Sequence, residues 1–246
     1  MSRKTLFIIT LLLFFSCASL WAITAEEIIA AVDANTSFAS SHSSGAIITV
    51  DRFGEKKSTF EAWSKGDNTS LIEFTSLAER GQKILRTGSS LYLYYPEADQ
   101  LIRLQGAALR QSVLGSDLSY EDMTRESSTL ASYDATLEGE DVIDGIQCWI
   151  VKLVAKSRSS AYPIQTLWVD QERFVVRKGL YATAAGRALK EMEVIALMEV
   201  GGVAMAKESR IADLLKRGSS TTMRIESIEI DIPLPDALFS LENLSW

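Results

Sequence analysis

The stretch Gly115–Met123, GSDLSYEDM, gathers residue types that do chemistry: three carboxylates (Asp117, Glu121, Asp122) and two seryl hydroxyls (Ser116, Ser119). As a metal loop it lacks a histidine partner, and its spacing does not follow a calcium-binding loop. As a catalytic loop it sets no base against a nucleophile. Gly115 permits a sharp bend, Ser116 or Asp117 can cap a short helical turn, and Ser119 with Asp122 can form a weaker cap. Leu118 and Met123 can then pack underneath. The stretch reads as a structural joint, with Gly115, Ser116 and Asp117 as the hinge of a lid.

The remaining reactive residue types are isolated. His42 is the only histidine and stands in the polar run SSHSSG, where a solvated ring is expected. Cys148 lies inside the apolar run IQCWIV, which suits a buried, inert thiol. The carboxylate pairs Glu138 and Glu140, and Asp141 and Asp144, flank turns, where acidic residues favour solubility. The sequence carries no nucleophile elbow, phosphate loop or paired-histidine zinc signature. Neither an enzyme nor a metal or cofactor site is expected.

The elements that must position these residues begin after a leader. Arg3 and Lys4 precede an apolar run, Leu6–Phe15, broken only by Thr10, and Leu20-Trp21-Ala22 fits a cleavage site. This is a secretory signal over residues 1–22, too short to span a bilayer. LLFFSC around Cys17 loosely resembles a lipidation motif, so membrane anchoring at Cys17 and release after Ala22 both stay open. Removing residues 1–22 takes two of the 25 Lys and Arg, leaving 23 against 32 Asp and Glu; the net charge moves from −7 to −9. An acidic export product excludes nucleic acid as a partner, and a membrane ligand would have to be held by its apolar part. With Cys17 removed, Cys148 has no partner for an internal disulfide.

The mature chain, 23–246, reads as one mainly β domain. Residues 24–38 predict a helix, with Thr24 as N-cap, Glu27 three residues on, and Ile28, Ile29 and Val32 on one face. Strand-like runs follow, separated by short turns: SGAIITVDRF and KKSTFEAWSKGD around Gly54-Glu55, then TSLIEFTS, QKILRTG, LYLYYP and QLIRL. The centre, GAALRQSVLGSDLSYEDMTRESSTLASY, has no strand pattern and predicts short helices and loop. Strands resume at Ala135, with a hairpin turn at Asp144-Gly145, and run through IQTLWVDQERFVVRKGLYAT, RALKEMEVIALMEV, VAMAKESRIADLLK and TTMRIESIEIDI. Met192, Val194, Ala196 and Met198 alternate with Glu191 and Glu193, which predicts a sheet with one wet and one apolar face. The cover for that apolar face is small, only the N-terminal helix and the central segment. A sheet curled over so little helix leaves room for an apolar cavity.

The blocks LYLYYPEADQLIRLQGAALRQSVLGSDLSYEDM, GEDVIDGIQCWIVKL, TLWVDQERFVVRK and IESIEIDIPLPDALFSLENL resemble the bacterial outer-membrane lipoprotein-sorting (LolA-like) family. The likeness runs from about Ala46 to Leu244. It implies a half-open antiparallel β-barrel capped by short helices around an apolar cavity. It also implies a periplasmic carrier of lipoprotein or lipid acyl chains toward the outer membrane, with an inner-membrane transporter and an outer-membrane acceptor as partners. Relatives of this shape also act as RseB-like sensors or adaptors, which is the alternative reading. The basic residue that works in the best-known carrier has no matching position here.

Carriage of an acyl chain needs only a dry surface. Each methylene leaving water gains ~0.8 kcal/mol, so about fifteen of them gain on the order of 12 kcal/mol. The candidate lining residues are Ile72, Phe74, Leu91, Leu93, Trp149, Val151, Leu167, Met192, Val194 and Met198. Tyr92, Tyr94 and Tyr95 form a second group, with Tyr95 on the face of Leu91 and Leu93 and the other two opposite.

Overall fold

The structure, a computed structural model, describes residues 23–123, 128–216 and 218–244. The predicted signal, residues 1–22 with Cys17, lies outside the described residues. Helix α1 (Ala25–Ala34) starts as its sequence dictates. The Thr24 hydroxyl accepts from the Glu27 amide at 3.2 Å, and the Glu27 carboxylate accepts from the Thr24 amide at 2.8 Å. Ala25, Ile28 and Ile29 are buried. The helix stops four residues short of Phe38, because Asn35 leaves it to donate its side-chain amide to the Arg173 and Phe174 carbonyls at 2.8 and 3.2 Å.

Strands β1 (Ser40–Asp51) and β2 (Gly54–Lys65) form a hairpin in which Asp51 pairs with Gly54. The turn is therefore Arg52-Phe53, slightly upstream of the expected Gly54-Glu55. Strands β3 (Thr69–Phe74), β4 (Lys83–Thr87), β5 (Ser90–Tyr95) and β6 (Gln100–Leu104) follow as a meander. After the central segment come β7 (Tyr133–Ile143) and β8 (Ile146–Ala155). Asp144 and Gly145 between them take positive φ values of 50° and 82°, the geometry a two-residue hairpin requires. The run expected from Ile164 to Thr183 is two strands, β9 (Ile164–Asp170) and β10 (Val176–Ala182). Strands β11 (Ala188–Val200), β12 (Val203–Asp213) and β13 (Ser220–Ile230) complete the set.

Among the described residues all thirteen strands join one antiparallel sheet in the order β6-β5-β4-β3-β2-β1-β13-β12-β11-β10-β9-β8-β7. The sheet does not close: its edges are β6 and β7, which are consecutive in the chain. Residues 105–123 and 128–132 lie between these two edges and form the crossing segment. Bulges curl the sheet, one of them opposite Ser44 and Gly45 of β1, where Glu226 of β13 is the extra residue. Gly45 is required there, since a Cβ would strike the Phe60 ring at 2.7 Å and the Arg224 carbonyl oxygen.

One face carries two apolar clusters. Ile47, Phe60, Ile72, Phe74, Ile84, Leu91, Leu93, Leu104 and Ile211 form the first, with Val113, Leu118 and Tyr120 of the crossing segment. Val151, Leu153, Leu167 and Val169 form the second, beneath α1. The opposite face is not uniformly wet as expected. Leu71 and Leu85 point that way and are covered by Phe239 and Leu244 of the C-terminal tail. The expected alternation through Met192, Val194, Ala196 and Met198 also breaks, because a bulge between Val194 and Ala196 shifts the register.

The corner between β9 and β10 is held by one buried carboxylate. Asp170 accepts from the Glu172 and Arg173 amides at 2.9 and 3.0 Å, and from Arg177 Nη2 at 2.6 Å. Burial alone would raise its pKa, but Arg177 and these amides hold it below the usual carboxylate range. Asp170→Ala strands a guanidinium that is 14% exposed. We expect a loss of about 3–5 kcal/mol at pH 7 by urea unfolding. Because the folded pKa is lowered, this contribution is complete above ~pH 4 and disappears as pH falls through the folded value, where the two proteins converge. An equal gap at every pH contradicts the assignment.

Candidate functional site

The crossing segment is where the acidic stretch acts. Leu114 and Gly115 take positive φ, 53° and 80°, and turn the chain back on itself. The turn is closed by Val113 donating to the Leu118 carbonyl at 2.8 Å and Tyr120 to that of Gln111 at 3.2 Å. Ser119 and Asp122 cap α2 (Tyr120–Met123) reciprocally: the Ser119 amide donates to Asp122 Oδ2 at 2.8 Å, and the Asp122 amide to Ser119 Oγ at 3.2 Å. A second short helix, α3 (Thr129–Ser132), is tied to the end of α1, where the Asp33 carboxylate accepts from the Thr129 amide and hydroxyl, both at 2.7 Å.

Two carboxylates anchor this lid to the sheet. Asp117 is buried and accepts from Ser219 Oγ at 2.9 Å and Thr221 Oγ1 at 3.3 Å, while its amide donates to Thr221 Oγ1 at 2.8 Å. Lys216 Nζ stands 3.4 Å from the same carboxylate. Asp122 forms the other anchor. Its Oδ2 accepts from Lys190 Nζ on β11 at 2.5 Å and from the Tyr162 hydroxyl at 3.2 Å. Burial, and then the negative charge of Asp122, push the Tyr162 phenol far up, so it stays protonated as a donor. Burial likewise raises Tyr120, whose hydroxyl bonds to Tyr95. Leu118 and Tyr120 between the anchors, and Val113 just before them, enter the apolar face.

The ten lining candidates are divided between the two clusters. Ile72, Phe74, Leu91, Leu93 and Met192 lie beneath the lid. Trp149, Val151 and Leu167 lie beneath α1. Val194 and Met198 are half-buried and belong to neither. A cavity of about 410 Å³, in the size range of ligand pockets, opens beside the lid between β4–β5 and the ends of β7 and β8. Of the ten, Leu91 lines it, with Leu109, Tyr133 and a rim of serines that includes Ser89, Ser90 and Ser132. Ser116 and Asp117 are buried at the lid's turn, with Asp117 against β13, while Gly115 beside them is exposed.

Other residue types have structural partners. His42 is half-buried rather than solvated: it stacks on Trp63 at 5.0 Å and bonds Glu61 at 2.6 Å on the face away from the lid. Its strand neighbours explain this, since β1 begins earlier than the polar run suggests. Tyr92 and Tyr94 lie against the C-terminal tail, and Tyr95 meets the lid. Cys148 is fully buried, and burial, then Asp170, raise its thiol. Among the described residues no group of three His, Cys, Asp or Glu is placed to hold a metal. The anchors Lys190, Tyr162, Lys216 and Thr221 were not expected. One signal was available: Lys190 alternates with Met192 and Val194, a lysine on an apolar strand face.

A curled open sheet with a pinned lid across its mouth defines a lidded half-barrel of the lipoprotein-sorting kind. A family model described as "Uncharacterized protein" matches residues 66–246. A LolA superfamily protein of Nitrosomonas europaea superposes with TM-score 0.77 and 26% identity, covering 90% of this chain and all of that one (100%). A DUF1329 family protein of Desulfovibrio piger gives TM-score 0.83 at 23% identity, over 89% of this chain and 97% of that one. An outer membrane lipoprotein-sorting protein domain of Vibrio parahaemolyticus gives 0.82 at 17%, over 90% and 98%. No curated protein matches the sequence. The chain belongs to the LolA-like family.

The Asp117 anchor yields a local expectation. Asp117→Ala removes the carboxylate that Ser219, Thr221 and Lys216 share and leaves only the weaker ties of Lys216 to the Ser116 carbonyl and of the residue-117 amide to Thr221. Amide exchange at residues 113–122 should therefore accelerate at least tenfold while β7–β10 amides keep their rates. Uniform acceleration across the sheet means Asp117 supports the whole fold and is no lid anchor.

Proposed function

We propose that the mature chain is a periplasmic carrier that holds the acyl chains of a lipoprotein or lipid and delivers them toward the outer membrane. The observation that carries this reading is the nature of the plug. The apolar face of an open sheet is filled by lid side chains that reach it from a short segment held by two polar anchors. Those side chains occupy the volume an acyl chain would take.

The magnitudes favour reversible loading. Withdrawing Val113, Leu118 and Tyr120 from the interior costs about 1.5–3 kcal/mol each, roughly 5–9 in total. An acyl chain of about fifteen methylenes returns on the order of 12 kcal/mol. The chain outweighs the lid by roughly 3–7 kcal/mol, and the entropy cost of association takes back much of that, as a carrier that must also release its cargo requires. The hinge at Gly115–Asp117 fits this cycle, with the lid pivoting on its Asp117 end while the Asp122 end leaves Lys190. The family membership and the export signal expected over residues 1–22 support the periplasm as the place of work. Among the described residues no helix is long and apolar enough to cross a membrane.

Detergent-free purification followed by lipid extraction and mass spectrometry tests the reading; co-purified acyl lipid is the expected result. Protein that is empty and also ignores a fluorescent fatty acid would sink it. Leu118→Ala sharpens the test because its two effects have opposite sign. Unfolding free energy of the empty protein should fall by about 2–5 kcal/mol. Fatty-acid affinity should rise, because the competing side chain is smaller. Loss of both stability and affinity would mean that Leu118 is ordinary core.

A further inference from the structure

Strand register places a polar row across the otherwise apolar concave face. Lys190 on β11 pairs with Tyr181 on β10, Tyr181 pairs with Gln165 on β9, and Gln165 pairs with Leu153 on β8. Neighbouring strands lie ~4.8 Å apart, so Lys190 and Gln165 are about 10 Å from each other along this row. Gln165 is fully buried, and neither its amide nitrogen nor its oxygen has a hydrogen-bond partner. It shares one face of β9 with Leu167 and Val169 of the second cluster, so its amide faces the interior. A buried amide with both ends unmet is rare and costly, and it points to a partner that arrives from elsewhere.

Lys190 supplies the second half of the argument. It is 8% exposed, and its Nζ meets the Asp122 carboxylate, which belongs to the lid and not to the wall. Tyr162 donates to the same oxygen and its ring lies tilted against that of Tyr181, centroids 5.0 Å apart, so the row and the latch are one polar patch. If the lid lifts, Asp122 leaves and an ammonium remains in an apolar wall. A buried charge in that position demands a replacement anion.

We propose that Lys190 and Gln165 form a headgroup site for an acyl ligand ending in a carboxylate or a phosphate. Lys190 pairs with the anion and Gln165 donates its amide to a carbonyl oxygen of the acyl linkage. In the closed lid Asp122 stands where the ligand's anion goes, so lid and headgroup compete for one ammonium. This deepens the carrier reading and rests on it: the cargo's apolar chain gives affinity, and the row selects its polar end.

The test is displacement of a neutral polarity-sensitive dye from the full-length mature protein by dodecanoate, dodecyl phosphate, methyl dodecanoate and 1-dodecanol, with inorganic phosphate as the free anion. The anionic amphiphiles should bind about ten- to hundredfold more tightly than 1-dodecanol, the range of a charge-assisted hydrogen bond. Which of the two anions leads identifies the headgroup. Lys190→Met should erase the preference, as should Asp122→Asn/Lys190→Met, which leaves no stranded carboxylate. Asp122→Asn alone should raise anion affinity, since the competitor is gone. Gln165→Leu should weaken methyl dodecanoate and leave 1-dodecanol unchanged. Equal binding of all four amphiphiles, unchanged in the variants, overturns the headgroup site and keeps the carrier. Binding of inorganic phosphate alone overturns it in favour of a free-anion site. No binding by any amphiphile removes the carrier reading and this proposal with it.

Discussion

The fold is governed by an unclosed edge problem. A thirteen-stranded antiparallel sheet with β6 and β7 at its two ends leaves consecutive strands on opposite sides of the mouth. The chain between them has to pass from one side of the mouth to the other, and residues 105–123 lie across the concave face as a lid. Their composition then suits the place: short helices with apolar Val113 and Leu118 pointing inward, and carboxylates that find donors on the wall.

The curl that makes the face concave is itself written locally. Bulges interrupt the ladders at Glu226 on β13, opposite Gly45, and at Ile195 on β11, where extra residues tighten the twist. Gly45 lets Phe60 lie close to the backbone, which brings that part of the wall inward. On the outer side, the C-terminal tail seals Leu71 and Leu85. The sheet is thus closed to water over part of its convex side, while its concave side is shared between fixed cover under α1 and the pinned lid.

Much of this was legible in the sequence, and the failures have physical causes. The capping box at Thr24 and the Asp144-Gly145 turn rest on contacts within a few residues, so pattern alone found them. The Ser119–Asp122 cap is equally local. The division at Asp170 was missed because QERF reads as a continuation of strand, and the corner is fixed by Arg177 on the following strand. The tail's role was missed because Leu234 and Phe239 pack against strands about 150 residues earlier. The lining candidates were chosen for apolar character, which cannot tell which side chains share a cluster: Phe74 and Val151 look alike in sequence but belong to different cores. Lys190 and Gln165 were passed over for the converse reason, being polar positions in apolar strands.

Those polar positions decide how the lid behaves. Exchange of lid side chains for an acyl chain trades one buried apolar surface for another, so much of its gain cancels. The anchors are not neutral: separating the Asp122–Lys190 pair leaves two charges in a poorly solvated place, a cost of several kcal/mol. A half-lifted lid would bear that cost without yet admitting a ligand. The stable arrangements are a fully seated lid or a lid whose carboxylate has been replaced. An apolar plug with no such pair would loosen gradually, and the interior would be exposed to water in proportion. Placing a charge pair at one end of the segment, with Asp117 fixed by Thr221 and Ser219 at the other, converts a soft apolar contact into a two-position element.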